Sequence, residues 1–183
     1  MNLFAEHVPK PADAAPVAGL TIRETCEADL PALERIAGER EGGDVELHRA
    51  GFERFLCETV PAGDGLMLVG EVDREVVGFG KVARFRHEGT PTPDVAPEGW
   101  YLAGVVVRPE WRRRGIGDRL TAARLEWVAR RATSAYYFVN ARNTVSIDLH
   151  RRFGFVEIAR RFTFPGASFV GGQGILFEAG IGK

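Results

Sequence analysis

Cysteine is scarce in this chain: two in 183 residues, Cys26 and Cys57, with no Cys-x-x-Cys pair. That excludes a zinc site built on paired thiolates and a disulfide framework, and it suits a reducing compartment. No apolar run approaches the roughly 18 residues that a membrane span requires. The opening stretch MNLFAEHVPKPADAAPVAG has no continuous apolar segment of the kind a secretory leader carries. Rich in Pro and Ala, residues 1–19 read as a flexible tail before a fold over 20–183, and a cytoplasmic location is expected. Excess charge is lacking as well. With 24 Lys and Arg against 25 Asp and Glu, the net charge of -1 offers no field to gather nucleic acid or an anionic membrane. Any basic function must therefore be local.

What is present is the composition of an ordinary globular domain, 45% hydrophobic and 27% charged, long enough for one sizeable core. GLTIRE alternates as a first strand, and EADLPALERIAGER places Leu30, Leu33 and Ile36 at helical spacing. A polar link leads to a second helix around Phe52, Phe55 and Leu56. LMLVGEV and EVVGFGKVARF, parted by Asp73 and Arg74, predict a hairpin. Pro91, Pro93 and Pro97 mark 86–99 as a loop. WYLAGVVV, apolar on both faces, predicts a central strand. A helix follows with Ile116, Leu120, Ala123 and Trp127 on one stripe, then the strand AYYFVN and the short helix NTVSIDLHRRFG. FVEIARRFTF and GILFEA close the chain as strands around the loop PGASFVGGQ. The order predicts an α/β single domain with one twisted mixed sheet of about seven strands and about four helices.

Between the central strand and its helix stands RPEWRRRGIGDRL. A helix N-terminus offers unpaired N–H groups and the positive end of a dipole, and phosphate binds there readily. Gly115 and Gly117 let the backbone approach a ligand, while Arg112, Arg113 and Arg114 can add charge-assisted hydrogen bonds. Neither GxxxxGK[ST] nor GxGxxG fits this junction, which removes the two best-known nucleotide loops. A solvated basic turn would account for the arginines alone.

Two spaced motifs resemble those of the N-acetyltransferase superfamily abbreviated GNAT. Val107-Arg108-Pro109 followed by Arg112-Arg113-Arg114-Gly115-Ile116-Gly117 is similar to its acetyl-CoA signature. Asn143-x-x-Ser146-x-x-Leu149-His150-x-x-x-Gly154-Phe155 matches its second signature except at His150, where the family usually has Tyr. The resemblance runs over roughly 20–180 and implies a mostly antiparallel sheet and acetyl-CoA as cosubstrate. It implies that Val105, Val106 and Val107 bind the pantetheine arm through their main chain. It assigns the loop of Arg112, Arg113, Arg114, Gly115, Ile116, Gly117 and Asp118 to the pyrophosphate, and Asn143 to the neighbourhood of the arm. Helix capping explains Asn143 equally well. His150 stands where the family protonates the departing thiolate, a role imidazolium can fill; a satisfied structural histidine is the other reading. No metal is expected.

The acceptor implied is a primary amine, whose pKa of about 10 demands loss of a proton before attack. Glu98, His87 or an acid of the first inter-helix link are candidate bases. Phe138 occupies the place of a Glu found in the branch that acetylates ribosomal-protein N-termini. The link GEREGGDVELH carries Glu39, Glu41, Asp44 and Glu46 against Arg40 and suits a cationic small molecule. Phe164 and Phe169 give the last loop an aromatic wall, with the proline loop 86–99 as a further one, and Tyr136 and Tyr137 read as core or cleft wall. WYLAGVVVRPEWRRRGIG and AYYFVNARN also resemble aminoglycoside 6'-N-acetyltransferases. The expected function is direct acetyl transfer to an aminoglycoside-like or polyamine-like amine. A protein lysine or N-terminal acetyltransferase, or a non-catalytic acyl-CoA sensor, is the alternative. A homodimer through the last strands is what the family leads one to expect.

Overall fold

Asp73 and Arg74 both adopt left-handed φ, 49° and 69°, the turn whose twist matches that of paired strands. They join β2 (Gly65–Val72) to β3 (Glu75–Phe85), the predicted hairpin. This computed structural model describes residues 17–41, 45–169 and 173–182; at 40, 41 and 45–47 the description is of the backbone alone. Most of the tail expected over 1–19 thus lies outside the described residues, though Val17 already packs on the core. Antiparallel pairing adds β1 (Thr21–Glu24) to one side of the hairpin and β4 (Gly99–Val107) to the other. Then β5 (Ser134–Asn140) runs parallel to β4, β7 (Gly174–Gly180) pairs with β5, and β6 (Val156–Ala159) forms the edge. The seven-stranded mixed sheet has the order β1-β2-β3-β4-β5-β7-β6.

Four helices cover it, as the periodicity predicts: α1 (Leu30–Glu41), α2 (Val45–Arg54), α3 (Ile116–Ala129) and α4 (Thr144–Arg151). Ile116, Leu120 and Val128 of α3 and Ile147 of α4 pack with Leu68, Val82, Leu102 and Tyr137 on one face. On the opposite face, Leu33, Ile36 and Phe52 of α1 and α2 meet Met67, Val69, Phe79 and Val106. Beyond α2, that second face carries an aromatic group in place of a helix: Tyr101, Phe85, Tyr136, Phe138, Phe162 and Phe164.

The strand expected over FVEIARRFTF is shorter than its pattern. Pairing with β7 ends at Ala159 after an irregular register. Thr163 instead exchanges main-chain bonds with the proline loop, donating to Asp94 O at 2.7 Å and accepting from Ala96 N–H at 2.9 Å. Two loops thereby become one wall.

The first strand is anchored by charge. Arg23 reaches Asp29 through both terminal nitrogens, at 2.7 and 2.8 Å, and Glu71 of β2 at 2.6 Å. Its guanidinium holds the Asp29 carboxyl below the usual carboxylate range despite burial. Arg23→Met strands a buried carboxylate and is expected to destabilise the fold by about 2 kcal/mol at pH 7. Because the folded pKa lies below the unfolded one, the loss is full above pH of about 4 and shrinks as pH falls further. Urea denaturation of both proteins at pH 7 and pH 3 measures it.

Candidate active site at the parting of two strands

β4 and β5 touch at one register position, Tyr101 opposite Tyr136. Past it they part, so the second half of β4 is paired on its β3 side alone. Arg108 N–H donates to Val77 O of β3 at 3.0 Å. Main-chain direction alternates along a strand. Val106 therefore also faces β3, while Val105 and Val107 turn their N–H and C=O groups into the gap. Of the three valines that the resemblance assigns to a pantetheine arm, two turn main chain toward the gap and Val106 is held in the sheet.

A bulge sets this phase. Lys81 pairs with Ala103 and Gly80 with Val105, which leaves Gly104 unopposed at φ 51°. An isolated glycine inside an apolar strand pattern is the one trace of it in the sequence. Without that extra residue, every main-chain group beyond it would point the other way.

The turn after β4 curls through two left-handed residues, Arg113 at φ 64° and Gly115 at φ 81°, before α3 begins. Arg119 N–H makes the first helical bond, to Gly115 O at 3.0 Å. Ile116, Gly117 and Asp118 are left with N–H groups that have no acceptor inside the helix. A Cβ on Gly117 would lie 3.6 Å from Leu149 and 3.7 Å from Val105, so this turn packs directly beside the gap.

The arginines divide their work. Arg108 is tied to Glu75, to Glu110 at 2.6 Å and to Glu39 at 3.7 Å, and belongs to the scaffold. Arg112 donates through Nε to Val107 O at 3.0 Å, capping the end of β4. Arg114 lies over the Trp111 ring at 5.3 Å. Asp118 sits in the first turn of α3 and binds Arg152 at 2.6 Å, joining α3 to the end of α4. Asn143 caps α4, its Oδ1 accepting from Ser146 N–H at 3.1 Å.

His150 is buried on α4. Its Nδ1 lies 2.8 Å from Ser146 O, a bond only an N–H can make, and Nε2 has no partner among the described residues. The ring stacks on Tyr137 at 3.9 Å, and the Tyr137 hydroxyl is likewise buried and unpaired. Burial, and then the nearby Arg124 guanidinium, push the His150 pKa down to about 3. The ring is neutral at pH 7 and offers an acceptor, whereas donation as imidazolium requires a charge this site opposes. Glu98 and His87 do not reach the gap. Glu98 accepts from His87 N–H at 2.6 Å and the His87 ring binds Ala96 O at 2.9 Å, beside the start of β4, about 20 Å of extended strand from Val105.

The two expected acceptor walls do meet. Phe164 and Pro165, with Phe85, Arg86, His87 and Thr92, line an open depression of about 680 Å³. Its charged lining is more basic than acidic, Arg84 and Arg86 against Glu88. Of the acidic link, Asp44 is outside the described residues, as are the side chains of Arg40, Glu41 and Glu46.

Sequence reasoning missed Arg124. It follows Leu120 by one turn on the core face of α3 and is wholly buried. Burial pulls its pKa down to about 9, leaving it charged at pH 7.

Comparison with known proteins gives this geometry its class. The chain belongs to the acetyltransferase (GNAT) family, whose model matches residues 30–155, and so to the acyl-CoA-dependent N-acetyltransferases. It is 32% identical over 108 residues to an aminoglycoside N(6')-acetyltransferase type 1 of Stenotrophomonas maltophilia, spanning 58% of this chain and 66% of that relative. The ribosomal-protein-alanine N-acetyltransferase of Brucella melitensis superposes with a TM-score of 0.66 at 27% identity, over 88% of this chain and 99% of that one. An acetyltransferase of Salmonella typhimurium solved with its cofactor acetyl-CoA shares the fold at a TM-score of 0.64 and 19% identity, over 88% and 94%.

Two outcomes follow from this geometry. Gly117→Ala should keep coenzyme binding, since the added methyl meets only ordinary contacts, whereas Gly117→Trp should abolish it by calorimetry. The His150 ring resists protonation in the fold but not in the unfolded chain, so stability should fall as pH drops from about 6.5 toward 3, by up to about 1.4 kcal/mol per pH unit. His150→Gln should remove that share of the slope in urea titrations.

Proposed function

We propose that the protein acetylates a primary amine of a small cationic molecule, taking the acetyl group directly from acetyl-CoA. The observation that carries this reading is the free edge of β4 beside the α3 N-terminus. Acetyl-CoA is a substrate here, and the residues present fit it. Ile116, Gly117 and Asp118 supply N–H donors for a diphosphate, Gly117 clears the approach, and Arg114 is exposed to add charge. Val105 with both main-chain groups, and Val107 with its N–H, supply the ladder positions an extended pantetheine arm would complete, much as an added strand does. Acetyl-CoA brings an activated thioester to that edge.

The amine nitrogen bonds to the carbonyl carbon, the carbon–sulfur bond breaks, and the thiolate leaves. Main-chain N–H groups of the bulged strand steady the charge on oxygen. A proton leaves the amine for water, because the described residues place no base at the gap. Water also returns a proton to the thiolate. His150, buried and neutral with its N–H committed to Ser146 O, is assigned no proton-transfer role. The likeness to aminoglycoside N(6')-acetyltransferases supports a small amine-bearing acceptor.

Thiol release from acetyl-CoA with a panel of aminoglycosides, polyamines and peptides tests this. Turnover with small polyamines or aminoglycosides and none with peptides is expected; peptide turnover alone would replace the acceptor, and coenzyme binding without turnover on any amine would replace catalysis with sensing. With a good acceptor, kcat/KM should rise with pH toward the amine pKa of about 10 and show no break near 6.5, where an ordinary histidine titrates.

A further inference from the structure

Arg124 is fully buried on α3 with no carboxylate partner among the described residues, and its guanidinium makes three bonds to neutral acceptors. Nε donates to Leu120 O at 3.1 Å and Nη2 to Thr121 Oγ1 at 3.0 Å, both within its own helix. Nη1 leaves the helix and donates to Lys81 O at 3.1 Å. Lys81 is the β3 residue opposite Ala103, at the step where the register slips and Gly104 is left unopposed. Gly80, on the other side of that step, makes room: a Cβ there would lie 3.1 Å from Nε and 3.2 Å from Cζ of Arg124. A bulge disrupts the ladder locally, and here a side chain binds a strand carbonyl beside the break.

We propose that Arg124 is a positioning residue that locks the Gly104 bulge to α3, fixing the aim of Val105 and Val107 relative to the helix N-terminus. This rests on the proposed reading of the gap as the acyl-transfer site. The helix whose first turn would hold the diphosphate is the helix whose third turn grips the bulge, so one rigid element sets both ends of the bound arm. Packing alone does not require a cation here, because an apolar residue of similar volume is usually as stable or more so than a buried charge. A single methylene-sized shift in the strand would be enough to lose alignment with the thioester.

Arg124→Met tests it, with an uncharged chain of similar length. The expected outcome is a thermal midpoint near that of the wild type, a smaller loss of acetyl-CoA affinity by calorimetry than of turnover, and a kcat lower on the order of a hundredfold, the usual effect of a ~1 Å misplacement. Arg124→Lys should recover part of kcat by restoring a donor. In the free protein, amide NMR shifts should move at Lys81, Gly104 and Val105 and stay put at Ile116, Gly117 and Asp118. Gly80→Ala, which crowds the guanidinium by a few tenths of an ångström, should move the same shifts with a smaller loss of kcat, and it carries the test if Arg124→Met does not fold. A kcat within about twofold of wild type together with unmoved shifts, against the hundredfold expected of misalignment, overturns the assignment. A fall in midpoint and kcat together, with Arg124→Lys no better than Met, also overturns it by making Arg124 a plain structural residue. Should the wild type turn over no amine at all, the proposed reaction fails and the amide shifts alone decide the fate of Arg124.

Discussion

Everything at this site depends on two parallel strands that meet once and then separate. Tyr101 and Tyr136 share the one register position, and their rings stack at 5.3 Å. A sheet interior ordinarily leaves no main-chain group unpaired. By parting after one contact, β4 and β5 create an edge in the middle of the sheet, where an edge is least expected and best shielded. α3 crosses beneath β2, β3 and β4, and its N-terminus opens at the top of the same gap. On the proposed reading, a ligand with an anionic end and an amide-bearing arm would be met at both ends by main chain.

Beneath the gap lies Arg124, a buried cation with no carboxylate partner among the described residues. A buried guanidinium repels a second positive charge more strongly than it would in water. His150, within reach of that field and stripped of solvent, stays neutral. The substitution of His for the family's usual Tyr is therefore less drastic in charge than it looks, since both side chains are uncharged at pH 7 in this setting. They differ in polarity of role: a phenol can donate, while this imidazole has its N–H committed to Ser146 O and keeps only a lone pair. The same field that silences His150 favours negative charge nearby, which is the charge a departing thiolate develops.

Much of this was legible in the sequence, and the limits are physical. Period and turn chemistry gave the hairpin at Asp73 and Arg74, the four helices and the glycine junction before α3. The two motifs fixed the order of the late elements. Length of β6 was not legible, because Phe162 and Phe164 continue an alternating pattern that tertiary structure uses for an aromatic wall rather than for pairing. The bulge left only Gly104 as a trace, since a glycine in a strand has several meanings. Arg124 escaped because a charged residue on an apolar stripe reads as a helix-face error until its acceptors are seen.

The basic junction also shows why residue type is a poor guide to which group does the binding. Among the clustered arginines, Arg108 is neutralised by carboxylates from β3, α1 and the turn itself, and Arg112 is occupied by the last carbonyl of β4. Their charge shapes the turn. Arg112 bends the chain back over Val107, Arg113 accepts a left-handed φ, and Gly115 completes the reversal so that α3 starts beside the strand it has just left. On the proposed reading, anion affinity would come mainly from helix N–H groups whose direction is fixed by the backbone. Such donors need no side-chain ordering when a ligand arrives, and they are insensitive to which arginine sits at the surface. The cluster is best understood as the means of building the cradle, with exposed charge at Arg114 as a supplement to it.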